Sequence, residues 1–158
     1  MFNHAPQDYD CPFCRLAAGG EDHLTRQRDV VRRTDGALAF VASRWWPNNQ
    51  GHVLVVPTAH HENLYDLTAE SGHAVQDLVR EIAIAIRTTY DGCTGTSTRQ
   101  HNEPAGYQDA WHYHVHVFPR YESDNLYNNL PLPTPATPES RTPYIHQLLN
   151  YFTTPKPQ

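Results

Sequence analysis

The chain has 158 residues, a formal net charge of −5 at pH 7 and a pI near 6.1, with 39% hydrophobic and 18% charged residues. That length suits one domain with a real hydrophobic core. The acidic balance, with Lys156 the only lysine, excludes a basic face that grips nucleic-acid backbone. No apolar run approaches the roughly 20 residues of a membrane span. Residues 1–10 are polar, contain Pro6 and read as a loose start without the charged and apolar regions of a signal peptide. With three cysteines, two of them in C-x-x-C, a reducing, cytoplasmic setting is expected.

Cys11-Pro12-Phe13-Cys14 opens the first expected element, a short helix started by Pro12 and stopped near Gly19. It carries both thiols. The C-x-x-C pair has three readings: a redox pair, half a zinc site, or chance. Half a zinc site suits it best, because no thioredoxin-like βαβ pattern surrounds it. Val30–Thr34 and Ala37–Val41 read as a hairpin turning at Asp35-Gly36. Ser43–Gln50 reads as a loop by its Pro and Asn content, with Trp45 and Trp46 expected to pack and less expected to stack on a base. Gly51–Pro57 is apolar on both faces and so reads as a central strand. His60 and His61 leave it, and being adjacent only one can face the sheet's active side.

Thr68 is a plausible N-cap for a long helix. Val75, Leu78, Val79, Ile82, Ala83 and Ile86 form its apolar stripe, and Gly92 should stop it. Thr96–His101 reads as a strand, and residues 102–109 as a turn-rich loop. Trp111–Arg120 then alternates His112, His114 and His116 with Tyr113, Val115 and Val117. Strand periodicity puts the three histidines on one face, roughly 6–7 Å apart. Imidazole serves near neutral pH as nucleophile, proton carrier or metal ligand, so three in register point to chemistry. Beyond Tyr121, prolines at 131, 133, 135, 138 and 143 predict an extended wrapping segment over 122–139 and a last short helix starting at Thr142-Pro143.

The run His112 to Phe118 resembles the signature of the histidine triad (HIT) family of nucleotide hydrolases and transferases. Cys11–Cys14, Leu38-Ala39-Phe40, Gly51–Pro57 with His60, Asn102 and Pro119-Arg120 follow in that family's order and approximate spacing. The likeness covers about residues 11–121, with 122–158 an extension expected to sit on the same domain. It implies an α+β fold with an antiparallel sheet of about five strands, one long helix and short helices, usually as a homodimer. It further implies attack by His114 on the α-phosphorus of a nucleotide, through a nucleotidyl-histidine later cleaved by water. Dinucleoside polyphosphates such as diadenosine tetraphosphate, or nucleoside phosphoramidates, are the implied substrates, with a purine base favoured. In this reading the carbonyl of His112 accepts from His114, His116 lies nearest the leaving group, and His52, Asn102 and Gln108 contact phosphate.

Three features depart from the family pattern, one being a longer loop to Gly51 with Trp45, Trp46, Asn48 and Asn49. The place where an acid commonly holds the ribose hydroxyls reads Val41-Ala42-Ser43, and Tyr107 is inserted ahead of Gln108. A structural zinc on Cys11, Cys14, His60 and His112 is expected, with His61 as the alternative to His60. Magnesium could assist with a polyphosphate tail, although no carboxylate cluster demands it. The competing expectation is a non-catalytic nucleotide- or zinc-binding module on the same scaffold.

Overall fold

The computed structural model describes residues 2–128 and 134–155. Five strands form one antiparallel sheet: β1 (Val30–Arg33), β2 (Ala37–Val41), β4 (Val53–Pro57), β5 (Gly95–Gln100) and β6 (Val115–Arg120), in the order β1-β2-β4-β6-β5. The doubly apolar strand β4 is indeed central. Its register sets Leu54 opposite His116, and Val53 and Val55 opposite Val117 and Val115. Alternation then sorts the two faces. Ala39, Val41, Val53, Val55, Val115 and Val117 face the long helix, while Leu38, Phe40, Leu54, His116 and Phe118 face the other way.

The long helix α2 (Ala69–Thr89) starts where Thr68 caps it, its hydroxyl accepting from the backbone N–H of Ser71 at 3.2 Å. Val75, Leu78, Val79, Ile82, Ala85 and Ile86 are buried on the sheet. Ala85 takes the core position expected of Ala83, which is only partly covered. Each buried Val, Leu or Ile contributes about 1.5–3 kcal/mol of transfer free energy. Gly92, at φ +71°, turns the chain into β5.

On the opposite face the short helix α1 (Pro12–Ala17) covers only part of the sheet. Phe13 and Leu16 pack on Leu38, Phe40 and Val56. Cys11 is the N-cap of this helix rather than a helical residue. Residues 2–10 form no helix or strand. They lie against the 62–65 loop, where Glu62 accepts from the backbone N–H groups of His4 and Ala5 and Phe2 packs edge-on to Tyr65.

Three expectations need correction. The triad strand begins at Val115, not at Trp111, because its neighbours pair no further: Val55 and Gln100 both sit opposite Val115. Tyr113 instead donates its backbone N–H to His61 at 2.6 Å. The 43–50 segment is not all loop: β3 (Arg44–Trp45) pairs antiparallel with β7 (Thr134–Pro135). The last helix, α3 (Pro138–Thr153), starts a turn before Thr142. Thr137 caps it and Pro138 fills its first position, so Pro143 lies inside, where only one helical hydrogen bond is forfeited. Of the wrapping segment expected over 122–139, residues 129–133 lie outside the described residues, and residues 138 and 139 already belong to α3.

The C-terminal part packs on the same sheet through α2, β1 and β2. Arg141 reaches Asp29 at 3.1 Å and the carbonyl of Leu24 at 3.0 Å, both side chains of the ion pair being buried. Among the described residues Asp124 accepts from Arg120 Nε at 2.7 Å and Nη2 at 2.9 Å, from Asn49 Nδ2 at 2.9 Å, and from the N–H groups of Tyr121 and Leu126 at 3.0 and 3.1 Å.

Candidate active site and metal cluster

Beside α1 the sheet is left open, and a cavity of about 370 Å³ forms over Phe40, Leu54 and His116. One wall is α1, with Phe13 stacked edge-on to His114 at 5.6 Å between ring centres. His52, His114, His116 and Trp46 line the opposite part. Both ends follow from strand alternation: the face that carries Leu38 and Phe40 also carries Leu54, His116 and Phe118.

His114 is buried and oriented. Its Nδ1–H donates to the carbonyl of His112 at 2.7 Å, which leaves Nε2 with a bare lone pair. Burial lowers its proton affinity, while the carbonyl of His112 and the carboxylate of Asp109 work against that. Asp109 Oδ1 lies 4.0 Å from Nε2 on an otherwise exposed side chain. His116 is buried, and its Nδ1 sits 3.4 Å from Nε2 of His52. Burial drives His52 down to about 3, so it is neutral near pH 7. A neutral pair in this contact shares one proton. If His52 donates, His116 keeps a proton on Nε2 for the cavity. Trp46 packs edge-on to both rings. The indole N–H of Trp46 and Nδ1 of His52 are buried without a partner among the described residues.

His112 faces elsewhere. Its Nε2–H donates to the carbonyl of Pro57 at 3.0 Å, so Nδ1 is the free nitrogen. That nitrogen lies 3.2 Å from Sγ of Cys11 and 3.5 Å from Sγ of Cys14, and His60 Nδ1 lies 3.2 Å from Cys14. The four ligand atoms all lie within 4.8 Å of one another. Tetrahedral zinc with two thiolates and two imidazoles spaces sulfur and nitrogen about 3.5 Å apart, so the separations fit. The Pro57 carbonyl fixes the tautomer that a metal needs. Burial keeps His112 neutral, down to about 4, as a ligand must be. Burial and the neighbouring Cys11 push the Cys14 thiol up to about 12, a crowding that a bound cation would relieve. Of the two adjacent histidines, His60 joins the cluster. His61 turns away to Ser71, 3.0 Å from its hydroxyl. Sulfur and imidazole donors suit zinc and not magnesium, which takes oxygen.

The remaining expected site residues lie nearby but do not line the cavity. Gln108 is buried, donates to the carbonyls of Glu62 and Ala110 at 2.6 and 3.0 Å, and accepts from the N–H of Glu103 at 2.9 Å. Asn102 exchanges hydrogen bonds with Gln100 and accepts from the N–H of Leu64 at 2.8 Å. Both hold the loop that delivers the histidines. Sequence reading missed Tyr9, Asp22, Arg44 and Asp109 in the lining. It also missed His101, whose ring sits 5.8 Å from that of His116. Only Asp109 carried a signal, its place directly after Gln108.

An antiparallel five-stranded sheet crossed by one long helix, with buried histidines at the end of a central strand, defines the class. A sequence model described as the HIT domain matches residues 24–123. The chain belongs to the HIT family. It is 33% identical over 112 residues to the protein named hit of Bacillus subtilis, covering 71% of this chain and 72% of that protein. It is 26% identical to adenosine 5'-monophosphoramidase hnt1 of Schizosaccharomyces pombe, over 70% of this chain and 74% of that one. Its fold matches the zinc-bound histidine triad family protein of Mycobacterium smegmatis with a TM-score of 0.71 and 24% identity, over 89% and 91% of the two chains.

Proposed function

We propose that the protein is a nucleotide phosphohydrolase or nucleotidyl transferase acting at an α-phosphorus. The observation that carries this is the bare Nε2 of a buried, neutral His114, fixed by the His112 carbonyl at the floor of the cavity. Its lone pair attacks phosphorus, and the bond to the leaving group breaks. The departing oxygen or nitrogen keeps the bonding electron pair, accepts a hydrogen bond from His116 Nε2 and takes up a proton from solvent. Water then attacks the same phosphorus, the nitrogen–phosphorus bond breaks with its electron pair returning to Nε2 of His114, and the water proton passes to solvent. The nucleoside monophosphate leaves. Phe13, Phe40 and Leu54 offer an apolar slot for a base, which suits a purine.

Either a dinucleoside polyphosphate or a nucleoside phosphoramidate supplies the scissile bond. The relative hnt1, named as a monophosphoramidase, supports the second. Cys11, Cys14, His60 and His112 would hold a structural zinc, its four protein ligands leaving no place for water activation. A homodimer in the cytoplasm is the expected setting. The alternative, a non-catalytic binding module, gains nothing from a nucleophile so fully prepared.

The test is kinetics on diadenosine tetraphosphate, adenosine 5'-phosphoramidate and their guanosine counterparts, with intact-protein mass spectrometry to trap a nucleotidyl adduct. Adduct on the native protein and none on His114→Ala is the expected result. Turnover by His114→Ala at the native rate would overturn the assignment.

A further inference from the structure

The rim of the cavity between the apolar slot and the histidines carries a cation, unpaired among the described residues, where a sugar would lie. Strand β2 runs from Phe40 in the slot to Val41. Ala42 then donates its backbone N–H to the carbonyl of His52 at 3.0 Å, beside the phosphate-binding histidines. A nucleotide with its base on Phe13 and Phe40 and its α-phosphorus at His114 therefore lays its ribose along Ala42, Ser43 and Arg44. All three line the cavity.

A free ribose diol is best held by a carboxylate, which accepts from both hydroxyls. Each of the carboxylates that line the cavity, Asp10, Asp22 and Asp109, already faces a partner among the described residues. Asp22 spends Oδ1 on the N–H groups of Leu24 and Thr25 and on the Thr25 hydroxyl, at 2.6–2.9 Å. Asp10 is paired with Arg15, which also approaches Asp22 at 3.6 Å. Asp109 sits over His114. Arg44, by contrast, makes no side-chain hydrogen bond or ion pair among the described residues, and its side chain is exposed. Its backbone is held in place: β3 pairs with β7, and Ala136 donates to the carbonyl of Ser43 at 2.8 Å.

We infer that Ser43 and Arg44 form a subsite for a second phosphate carried on the substrate's ribose, so that the preferred substrates are nucleotides phosphorylated at the 2'- or 3'-hydroxyl. The guanidinium offers a planar fork of donors that matches a phosphate. The Ser43 hydroxyl adds one more donor. The inference rests on the nucleotide reading of the site given above.

The test is equilibrium binding of adenosine 5'-monophosphate, adenosine 5'-diphosphate, adenosine 3',5'-bisphosphate and adenosine 2',5'-bisphosphate to the native protein and to Arg44→Gln. At least one ribose bisphosphate should bind about tenfold more tightly than the monophosphate, as one charge-assisted fork provides. Arg44→Gln should cut that preference to within about twofold, and raising salt should erode it in the native protein only. Equal affinity for the monophosphate and both bisphosphates overturns the subsite. So does a gain for the 5'-diphosphate as large as for the bisphosphates, because the arginine would then serve the leaving group. Binding of none of the four by the folded protein overturns the nucleotide reading and the subsite together.

Discussion

The Nδ1 of His114 lies 2.7 Å from the carbonyl oxygen of His112, whose own ring lies 3.2 Å from the thiol of Cys11. One residue thus joins the proposed nucleophile to the Cys/His cluster: its backbone orients the His114 ring and its side chain is a proposed metal ligand. Removing the cluster should disturb catalysis through geometry, not through lost chemistry. In a Cys11→Ser, Cys14→Ser variant, zinc measured by elemental analysis should fall from about one per chain to near zero. The melting temperature should fall as well, because metal binding and folding are coupled. Near-stoichiometric zinc in that variant would mean that the ligands are misassigned.

His114→Ala should lower kcat by about 10³-fold or more, since the covalent route is lost with its nucleophile. KM should move much less, as the cavity walls remain. A matching rise in KM with kcat preserved would assign His114 to binding alone.

Asp124 sets a pH limit on stability. Its carboxylate is held well below the usual range, chiefly by the Arg120 guanidinium and also by the backbone N–H groups of Leu126 and Tyr121. An unfolded aspartate titrates near 3.9, above the folded value. The contribution is therefore complete above about pH 4 and is lost as pH falls further. Asp124→Asn should cost about 3 kcal/mol at pH 7, leaving Arg120 without its partner. The cost should shrink toward pH 3. Denaturant midpoints across that range give the answer, and a cost independent of pH would point to packing alone.

Arg141 and Asp29 should behave in the opposite way when changed together. Burial raises the proton affinity of Asp29 and lowers that of Arg141, so desolvation outweighs their attraction for each. Arg141→Met alone should cost about 3–5 kcal/mol by stranding a buried carboxylate. The pair Arg141→Met, Asp29→Leu should recover most of that. A double variant as unstable as the sum of the singles would show that the pair is worth its burial.

What was legible in the sequence was whatever local pattern decides. Asp35-Gly36 between two apolar runs is enough for β1 and β2. Thr68 ahead of a 3.6-residue stripe is enough for α2, and the apolar run 53–57 is enough for a central strand. The cluster was legible too, because C-x-x-C states its own incompleteness, although the sequence left His60 and His61 as alternatives. What was not legible depends on distant partners. His112 and Tyr113 match a strand but find no neighbour beyond Gln100 and Val55. Arg44 and Trp45 look like loop until Thr134 and Pro135 come alongside them. The start of α3 was misplaced because Thr142-Pro143 repeats the cap signal of Thr137-Pro138 one turn later. The amides of Gln108 and Asn102 are spent on loop carbonyls and N–H groups that no spacing rule foretells.

The portion most like the family ends near residue 121, yet the chain cannot be trimmed there. Leu126 is fully buried beside Trp46 and Phe118, and Asp124 ties Arg120 to Asn49. Arg141 clasps the segment carrying Leu24 and Asp29. An engineer shortening this protein for display or fusion would expose the apolar packing beneath the histidine-lined cavity before reaching any dispensable tail. Grafting the extension onto a shorter relative would in turn demand Trp46, Asn49 and Asp29 as recipient positions, so the two halves are heritable only as a matched set.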